Sequence, residues 1–502
     1  MEKLTSKKIE KWSKKDLIAN IFVYVLNTIF VFVLMIASAY LNYLSDGNGE
    51  GFIAYVTNFR RPLHLGILVI IVISAMALYF AFDDRNFLRN ANNSEMIFLI
   101  IEFSLAINYV LGKYVNVYLR PLPLCALLVL FLANRRSAII VNVVFCVLVF
   151  LMDSFTESGI KFSEYSSLVI GFSAGFIGIY LTNKVYSRLV LLMRSFILGV
   201  PALICMLLSL VEHGMDNFIA PLVSALCSGL LSVMLFIIIL PFFEALFHRV
   251  SPFRLAELTD HKSYLIRKLI TEAPGTFNHS MVVSNIAEAC AISIGEDSLL
   301  ARTCAYYHDI GKLRRPEYFT ENQFDGVNPH DDLTPELSTN IIKAHTTDGY
   351  KLILKQGLPK VIADTCLEHH GTMPIFYFYD KAKKFTDGDV DIAQFSYSGP
   401  KPQSKISAII MIADGCEAAT RTLADRSREN VLKVVRKIVE DRRALGQFDE
   451  CEITLKELNI IINTVADSLP GVYHTRVEYP KTDIVTGTDK IVVETGDNRE
   501  KE

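Results

Sequence analysis

Between Leu17 and Leu246 the chain carries one long apolar run after another, and a backbone of that kind has few places to fold except across a bilayer. The runs fall at about 17–40, 63–82, 96–112, 118–134, 137–152, 168–184, 195–211 and 218–246. Each approaches the ~20 residues that span a hydrocarbon core, so about eight crossings are expected. The first run is too long for the h-region of a signal peptide, and the lysine-dense residues 1–16 in front of it place that end in the cytoplasm. Asn134-Arg135-Arg136-Ser137 reads as a tight cytoplasmic turn. Arg85, Arg89, Lys184, Arg188, Arg194 and Arg249 fall on the same side, whereas the loops at 153–167 and 212–217 are poor in Lys and Arg. Arg60, Arg61, Lys113 and Arg120 break the rule and lie at helix ends, where headgroup contact is expected. Glu102, Asn108 and Glu212 are polar groups inside or beside the spans; Glu102 is read as facing a packed bundle interior as readily as a functional site. No arginine repeat or acidic relay suggests transport.

Composition shifts after residue 255. Eight of the eleven histidines and most of the charge lie there, although the whole chain has a formal net charge of only −3. No basic stripe marks a nucleic-acid partner. Nine scattered cysteines without C-x-x-C spacing suggest neither a disulfide framework nor a zinc ribbon, and fit reduced thiols. Apolar residues recur at three and four positions across Met281–Ile294, Ser298–Ile310, Ser338–Leu354 and Lys405–Leu423. Thr454 and Glu457 form a capping-box signature before a helix at Leu455–Ala466. An all-α fold follows: a basic N-terminus (1–16), a polytopic transmembrane bundle (17–246), a linker (247–264), a helical domain (265–483) and a disordered tail (484–502).

Chemistry concentrates in Ala305–Lys312, AYYHDIGK, where His308 and Asp309 offer ligands and Lys312 shares their face if the segment is helical. His279 in FNHS, His345 in KAHTTDG, His369-His370 in EHHGT and Asp414 in IADGCEA complete a set of imidazoles and carboxylates suited to Mn, Fe or Zn. Seven ligands are too many for one tetrahedral ion and about right for two ions sharing a carboxylate. Any one of these histidines alone reads more simply as core or surface; their joint occurrence with the His-Asp pair does not. His330 in NPHD suits ordering of its loop, and Glu417 with Arg421 reads most simply as a helix-surface ion pair, with a role beside Asp414 as the alternative.

These motifs, with ENQ…NPHD, GPKPQ at Gly399–Gln403 and YHTRVEYPK near the end, resemble the HD superfamily of metal-dependent phosphohydrolases and, within it, the seven-transmembrane receptor HD family of PgpH-like cyclic di-AMP phosphodiesterases. The resemblance implies one ion on His279, His308 and Asp414, a second on His345, His369 and His370, and Asp309 as the bridge. It further implies two divalent ions, Mn or Fe, with no organic cofactor; Lys312, one turn from the ligands, is placed to neutralise charge on the phosphoryl oxygens as a catalytic cation. Cyclic di-AMP would be opened to 5′-pApA, with the catalytic domain and N-terminus on the cytoplasmic side of a bacterial inner membrane. Arg315, Tyr397 and Lys401 stand as candidate substrate contacts. Between the first two spans only about twenty residues, Leu41–Pro62, occupy the place of the family's large extracytoplasmic domain. Alternatives are another nucleotide substrate, such as cyclic di-GMP (HHGTMP lacks the GYP segment) or guanosine tetraphosphate, or a non-catalytic nucleotide-sensing receptor. Homodimerisation stays open.

Overall fold

The computed structural model describes residues 14–472 apart from 85–86, 156–165, 184, 186, 214–217, 324–327 and 386–388. The expectations for residues 1–13, the YHTRVEYPK motif and the tail lie outside the described residues. The membrane part comprises α1 (Lys14–Ser45), α2 (Gly49–Thr57), α3 (Arg60–Phe82), α4 (Ala91–Tyr114), α5 (Leu124–Leu132), α6 (Arg135–Phe155), α7 (Ser166–Thr182), α8 (Arg188–Leu198), α9 (Val200–His213) and α10 (Ile219–Phe247). Beyond it come α11 (Pro252–Leu258), α12 (Tyr264–Glu272), α13 (Pro274–Ile294), α14 (Ser298–Tyr307), α15 (Pro335–Lys355), α16 (Lys360–Glu368), α17 (Phe376–Phe385), α18 (Lys405–Arg421), α19 (Arg428–Ala444) and α20 (Leu455–Val472). No strand occurs among the described residues, which agrees with the all-α expectation.

Six of the membrane segments are long and apolar enough to cross a bilayer: α1, α3, α4, α6, the α8–α9 unit over Arg188–Val211, and α10. The apolar stretches Val117–Leu132 and Ser166–Thr182 are helical but shorter, so the eight expected runs are present while only six have full spanning length. Asn134 closes the turn before α6 by accepting the Ser137 N–H at 2.8 Å.

The bundle packs an apolar core that also takes in polar side chains, and its outer face is apolar. On α1, Ile18, Phe22, Val25 and Ile29 are exposed while Asn20, Asn27, Ser38 and Asn42 are buried. The reason is hydrogen bonding: in hydrocarbon a polar group must find its partner within the protein. Asn20 bonds Leu88 O at 2.7 Å and accepts from Ser94 at 2.7 Å. Asn27 donates to Glu95 at 3.0 Å, and the Tyr109 hydroxyl to Asn42 at 2.8 Å. Glu102 faces the packed interior, with Oε1 unpartnered. Arg120 is not at a headgroup: it is buried and clamps Asp153 through two bonds of 2.7 and 2.9 Å, because the glycine at 112 leaves room for its guanidinium.

The expected linker contains α11, which joins two cores. Phe253 packs into the membrane core, and Leu258 into the core of the helical domain. Leu258 O also accepts the Tyr307 hydroxyl at 2.8 Å, tying the junction to the end of α14.

Candidate metal centre

The apolar faces of α13, α14, α16 and α18 form one core, and their polar ends converge above it. His279 stands on α13, His308 caps α14 with Asp309 after it, His345 lies on α15, His369 caps α16 with His370 after it, and Asp414 is on α18. Contrary to the helical expectation for AYYHDIGK, α14 stops at Tyr307 and Ile310–Arg314 winds as a 3₁₀ turn. In that tighter winding side chains three apart eclipse one another. Lys312 Nζ therefore sits 2.7 Å from Asp309 Oδ2, and 2.8 Å from Glu321 Oε1. Gly311 permits the turn to touch α15: an added Cβ would lie 1.9 Å from His345 O.

The seven expected ligands come together in two groups. Asp309, His345, His369 and His370 form one; His279, His308 and Asp414 form the other. Asp309 reaches into both. Its Oδ2 lies 3.3 Å from His308 Nε2 and 3.7 Å from His279 Nε2, while its Oδ1 lies 3.4 Å from His345 Nε2 and 3.6 Å from His369 Nε2.

The donor set fits divalent cations on its own chemistry. His308 Nδ1 donates to Ala305 O at 2.6 Å, His345 Nδ1 to Ile342 O at 2.6 Å, and His369 Nδ1 to Cys366 O at 2.9 Å. Each bond fixes the proton on Nδ1 and turns the Nε2 lone pair toward Asp309. His345 Nε2 and His369 Nε2 then face each other at 3.3 Å, lone pair to lone pair, which a shared cation relieves. His308 Nε2 and Asp309 Oδ1 are buried with no hydrogen-bond partner, and buried polar atoms without a partner call for an explanation.

Electrostatics point the same way. Burial would raise the Asp309 carboxyl, but Lys312 and His308 hold it well below the usual carboxylate range. Burial and the neighbouring His369 bring His345 down to about 3, although Asp309 acts against them. Burial would also lower His279, yet its bonds to Asp414 (3.1 Å) and Glu417 (2.6 Å) carry it up to about 10.

Glu417 is not the surface pair that its spacing suggests first. It is 1% exposed and joins His279 Nδ1 on one oxygen and Arg421 on the other, both at 2.6 Å. Sequence reading missed Glu321 and Glu368 as site residues. Glu321 anchors Lys312, and Glu368 accepts the Gln403 N–H at 3.1 Å, holding the GPKPQ loop against α16. Their only signal was adjacency to the ENQ and HH motifs. His330 lies apart from the ligands; its Nε2 bonds Tyr318 O at 3.0 Å, which suits the loop-ordering reading.

The candidate substrate contacts divide. Tyr397 stacks on His370, with centroids 4.3 Å apart. Arg315 is exposed and borders a cavity of about 250 Å³ behind His345. Lys401 reaches Asp449 at 3.9 Å, with no contact to a ligand side chain among those described.

Comparison with known proteins gives this arrangement a family. Residues 59–251 match the family described as 7TM receptor with intracellular HD hydrolase, and residues 276–419 match the HD domain. The chain belongs to the seven-transmembrane receptor HD family. It is thus a multi-pass membrane protein carrying an HD hydrolase domain. It is 37% identical over 439 residues to the cyclic-di-AMP phosphodiesterase PgpH of Bacillus subtilis, an alignment covering 85% of this chain and 61% of that protein. To the protein of the same name from Listeria monocytogenes it is 41% identical over 333 residues, 66% of this chain and 44% of that one. The chain therefore spans less than two thirds of either relative's length. The crystal structure of the Listeria PgpH HD domain in complex with cyclic-di-AMP is 49% identical and covers 43% of this chain and 99% of its own, with a TM-score of 0.41. Both ligand groups lie in the HD part of this family chain, four of the seven residues within α14, α16 and the positions just after them.

Proposed function

We propose that this family member is a membrane-anchored phosphodiesterase that binds two divalent ions, Mn or Fe, and hydrolyses cyclic di-AMP to 5′-pApA in the cytoplasm. The observation that carries the reading is the placement of Asp309, one carboxylate oxygen toward each histidine group. His279, His308 and Asp414 would hold one ion, His345, His369 and His370 the other, with Asp309 between them. Ions held there supply Lewis-acid activation of water and of a phosphodiester.

The chain's own residues do the rest. The backbone-anchored imidazoles keep their donor atoms aimed without reorganisation. Lys312, kept charged by Asp309 and Glu321 against the pull of burial, fixes the rotamer of the shared carboxylate. Two of its three N–H donors go to these carboxylates, so it positions Asp309 and keeps a third donor for a phosphoryl oxygen. Tyr397, stacked on the partly exposed ring of His370, forms a wall against which a base or ribose can rest. Hydrolysis joins a water oxygen to phosphorus, breaks the P–O3′ bond of one 3′,5′ linkage, and leaves O3′ carrying a proton. The names of the relatives support cyclic di-AMP as substrate. The basic residues flanking α6, α8 and α10 support a cytoplasmic catalytic domain in a bacterial inner membrane.

The test is the full chain in detergent or nanodiscs, metal-loaded with Mn, given cyclic di-AMP, cyclic di-GMP and guanosine tetraphosphate in parallel. Conversion of cyclic di-AMP to 5′-pApA, lost in His308→Ala and Asp309→Ala, is expected. Preference for another nucleotide overturns the substrate, and binding without product at any metal overturns the enzyme.

A further inference from the structure

Where α10 leaves the membrane, a cavity of about 710 Å³ opens between the bundle and the helical domain. Its membrane wall is one stripe of α10, Phe236, Ile237, Leu240, Pro241 and Glu244, at the spacing of a single helix face. On the adjoining face Ile238, Phe242 and Leu246 are 68, 66 and 51% exposed, which is the lipid side of the helix. The cavity wall on α10 thus adjoins the lipid side of the same helix. The cavity's other wall is the turn Gly357–Lys360 that starts α16, the helix ending at His369-His370.

The lining is split between apolar and cationic. Arg188, Arg249 and Arg254 face two carboxylates, Glu244 and Glu257. Glu257 is shared by Arg188 and Arg254, the latter at 3.6 Å. Arg249 contacts only a neutral partner among those described, the Asn93 side-chain oxygen, and so lacks a counter-anion. Lys360 adds a further cation, already paired with Asp364 at 2.7 Å. Pro241 lies inside α10 and has no N–H, so the Ile237 carbonyl loses its helical donor on the wall of the cavity. Glu244 adds a carboxylate acceptor, which takes the Ser251 N–H at 2.9 Å on one oxygen. A fitting occupant has a phosphate for the arginines, hydroxyls for the Ile237 carbonyl and Glu244, and a hydrocarbon tail that leaves along α10.

We propose that this cavity binds an anionic phospholipid with a hydroxylated headgroup, of the phosphatidylglycerol class. Its phosphate rests on Arg249, with Arg254 and Arg188 beside it, and its headgroup hydroxyls donate to Ile237 O and Glu244. A soluble glycerol phosphate shares the polar chemistry and lacks the tail, so the two sources can be told apart. The occupant touches both the last membrane helix and the turn that starts α16.

The experiment is native mass spectrometry of the full chain released from nanodiscs containing equal phosphatidylglycerol and phosphatidylcholine. One phosphatidylglycerol retained per chain is expected, in at least tenfold preference over phosphatidylcholine. Arg249→Gln should cut that retention at least tenfold. Ile237→Trp, which fills the cavity and leaves every charge in place, should exclude the lipid as well. Millimolar glycerol 1-phosphate should not displace it. Equal retention of the two lipids by the unmodified protein overturns the proposal whether or not the variants fold, as does unchanged retention in both variants. Displacement by glycerol phosphate overturns the lipid as the source. None of these readouts depends on nucleotide hydrolysis.

Discussion

Glu417→Ala is the sharpest probe of the metal centre, because Glu417 touches no cation site directly. Its carboxylate is 1% exposed and meets His279 Nδ1 at 2.6 Å, the distance of a short, charge-assisted bond. Removing it frees the ring to rotate, so His279 Nε2 loses its fixed direction toward Asp414, 3.1 Å away. Loss of a partner that orients a metal-binding histidine costs about 10–100-fold in metal affinity. That corresponds to about 1.4–2.7 kcal/mol. Glu417→Gln keeps an acceptor and removes the charge, so a smaller loss is expected. Arg421→Ala is the comparison: Arg421 is 43% exposed, and its removal leaves the Glu417 bond to His279 Nδ1 in place, so metal affinity should fall less than in Glu417→Ala. Chelator-buffered Mn titration of the full chain measures all three, with the metal-free melting temperature reporting on folding. Native affinity for two ions in Glu417→Ala, alongside loss of an ion in His279→Ala, would refute the argument.

Four further outcomes follow from the same geometry. His345→Ala should leave one tightly held ion per chain and Asp309→Asn should weaken both, measured by metal content after gel filtration; two ions in both variants would remove Asp309 from between the groups. His279 is raised to about 10 without metal, so it is protonated at neutral pH and must release that proton to a cation. Apparent metal affinity should therefore climb about tenfold per pH unit between pH 6 and 8, with proton release visible by calorimetry in buffers of different ionisation enthalpy. Gly311→Ala places a Cβ 1.9 Å from His345 O, and overpacking of this kind costs roughly 1–3 kcal/mol, read as a lower melting temperature and weaker metal binding. Arg120→Ala leaves the Asp153 carboxylate, 15% exposed, without its cation and should cost about 3–5 kcal/mol in thermal unfolding of the detergent-solubilised protein.

What the sequence disclosed about the fold depended on how local the governing physics is. Hydropathy and helical periodicity act within a few turns, so the apolar runs, α13, α15 and α18 could be read directly, and the Thr454–Glu457 box is present with Glu457 accepting the Thr454 N–H at 2.7 Å. Arg120 shows where local reading fails. A lone arginine at a helix end fits a headgroup on charge alone; its burial depends on Asp153, thirty-three residues away, and on the missing side chain at Gly112. The runs read at 118–134 and 168–184 are short of bilayer length in the structure as in the sequence. Leu124–Leu132 is almost wholly enclosed and needs no full bilayer length.

The metal centre was legible in kind and not in arrangement. Residue types announce affinity for a cation, but His279 and Asp414 are 135 positions apart and only the packing of α13 on α18 brings them within 3.1 Å. Partition into two groups came from family resemblance, since no spacing rule assigns His345 to His369 rather than to His308. The segment after Asp309 carried a subtler trap. On an α-helix Lys312 would lie near both His308 and Asp309. The 3₁₀ winding instead sets it on Asp309, with Glu321 on its far side. The same change of winding lets Gly311 press against His345 O, so one local departure from helical geometry both ties the lysine to the shared carboxylate and fixes the position of the opposite histidine. A lysine held in this way orients the shared carboxylate, so its substitution should weaken metal binding as well as turnover.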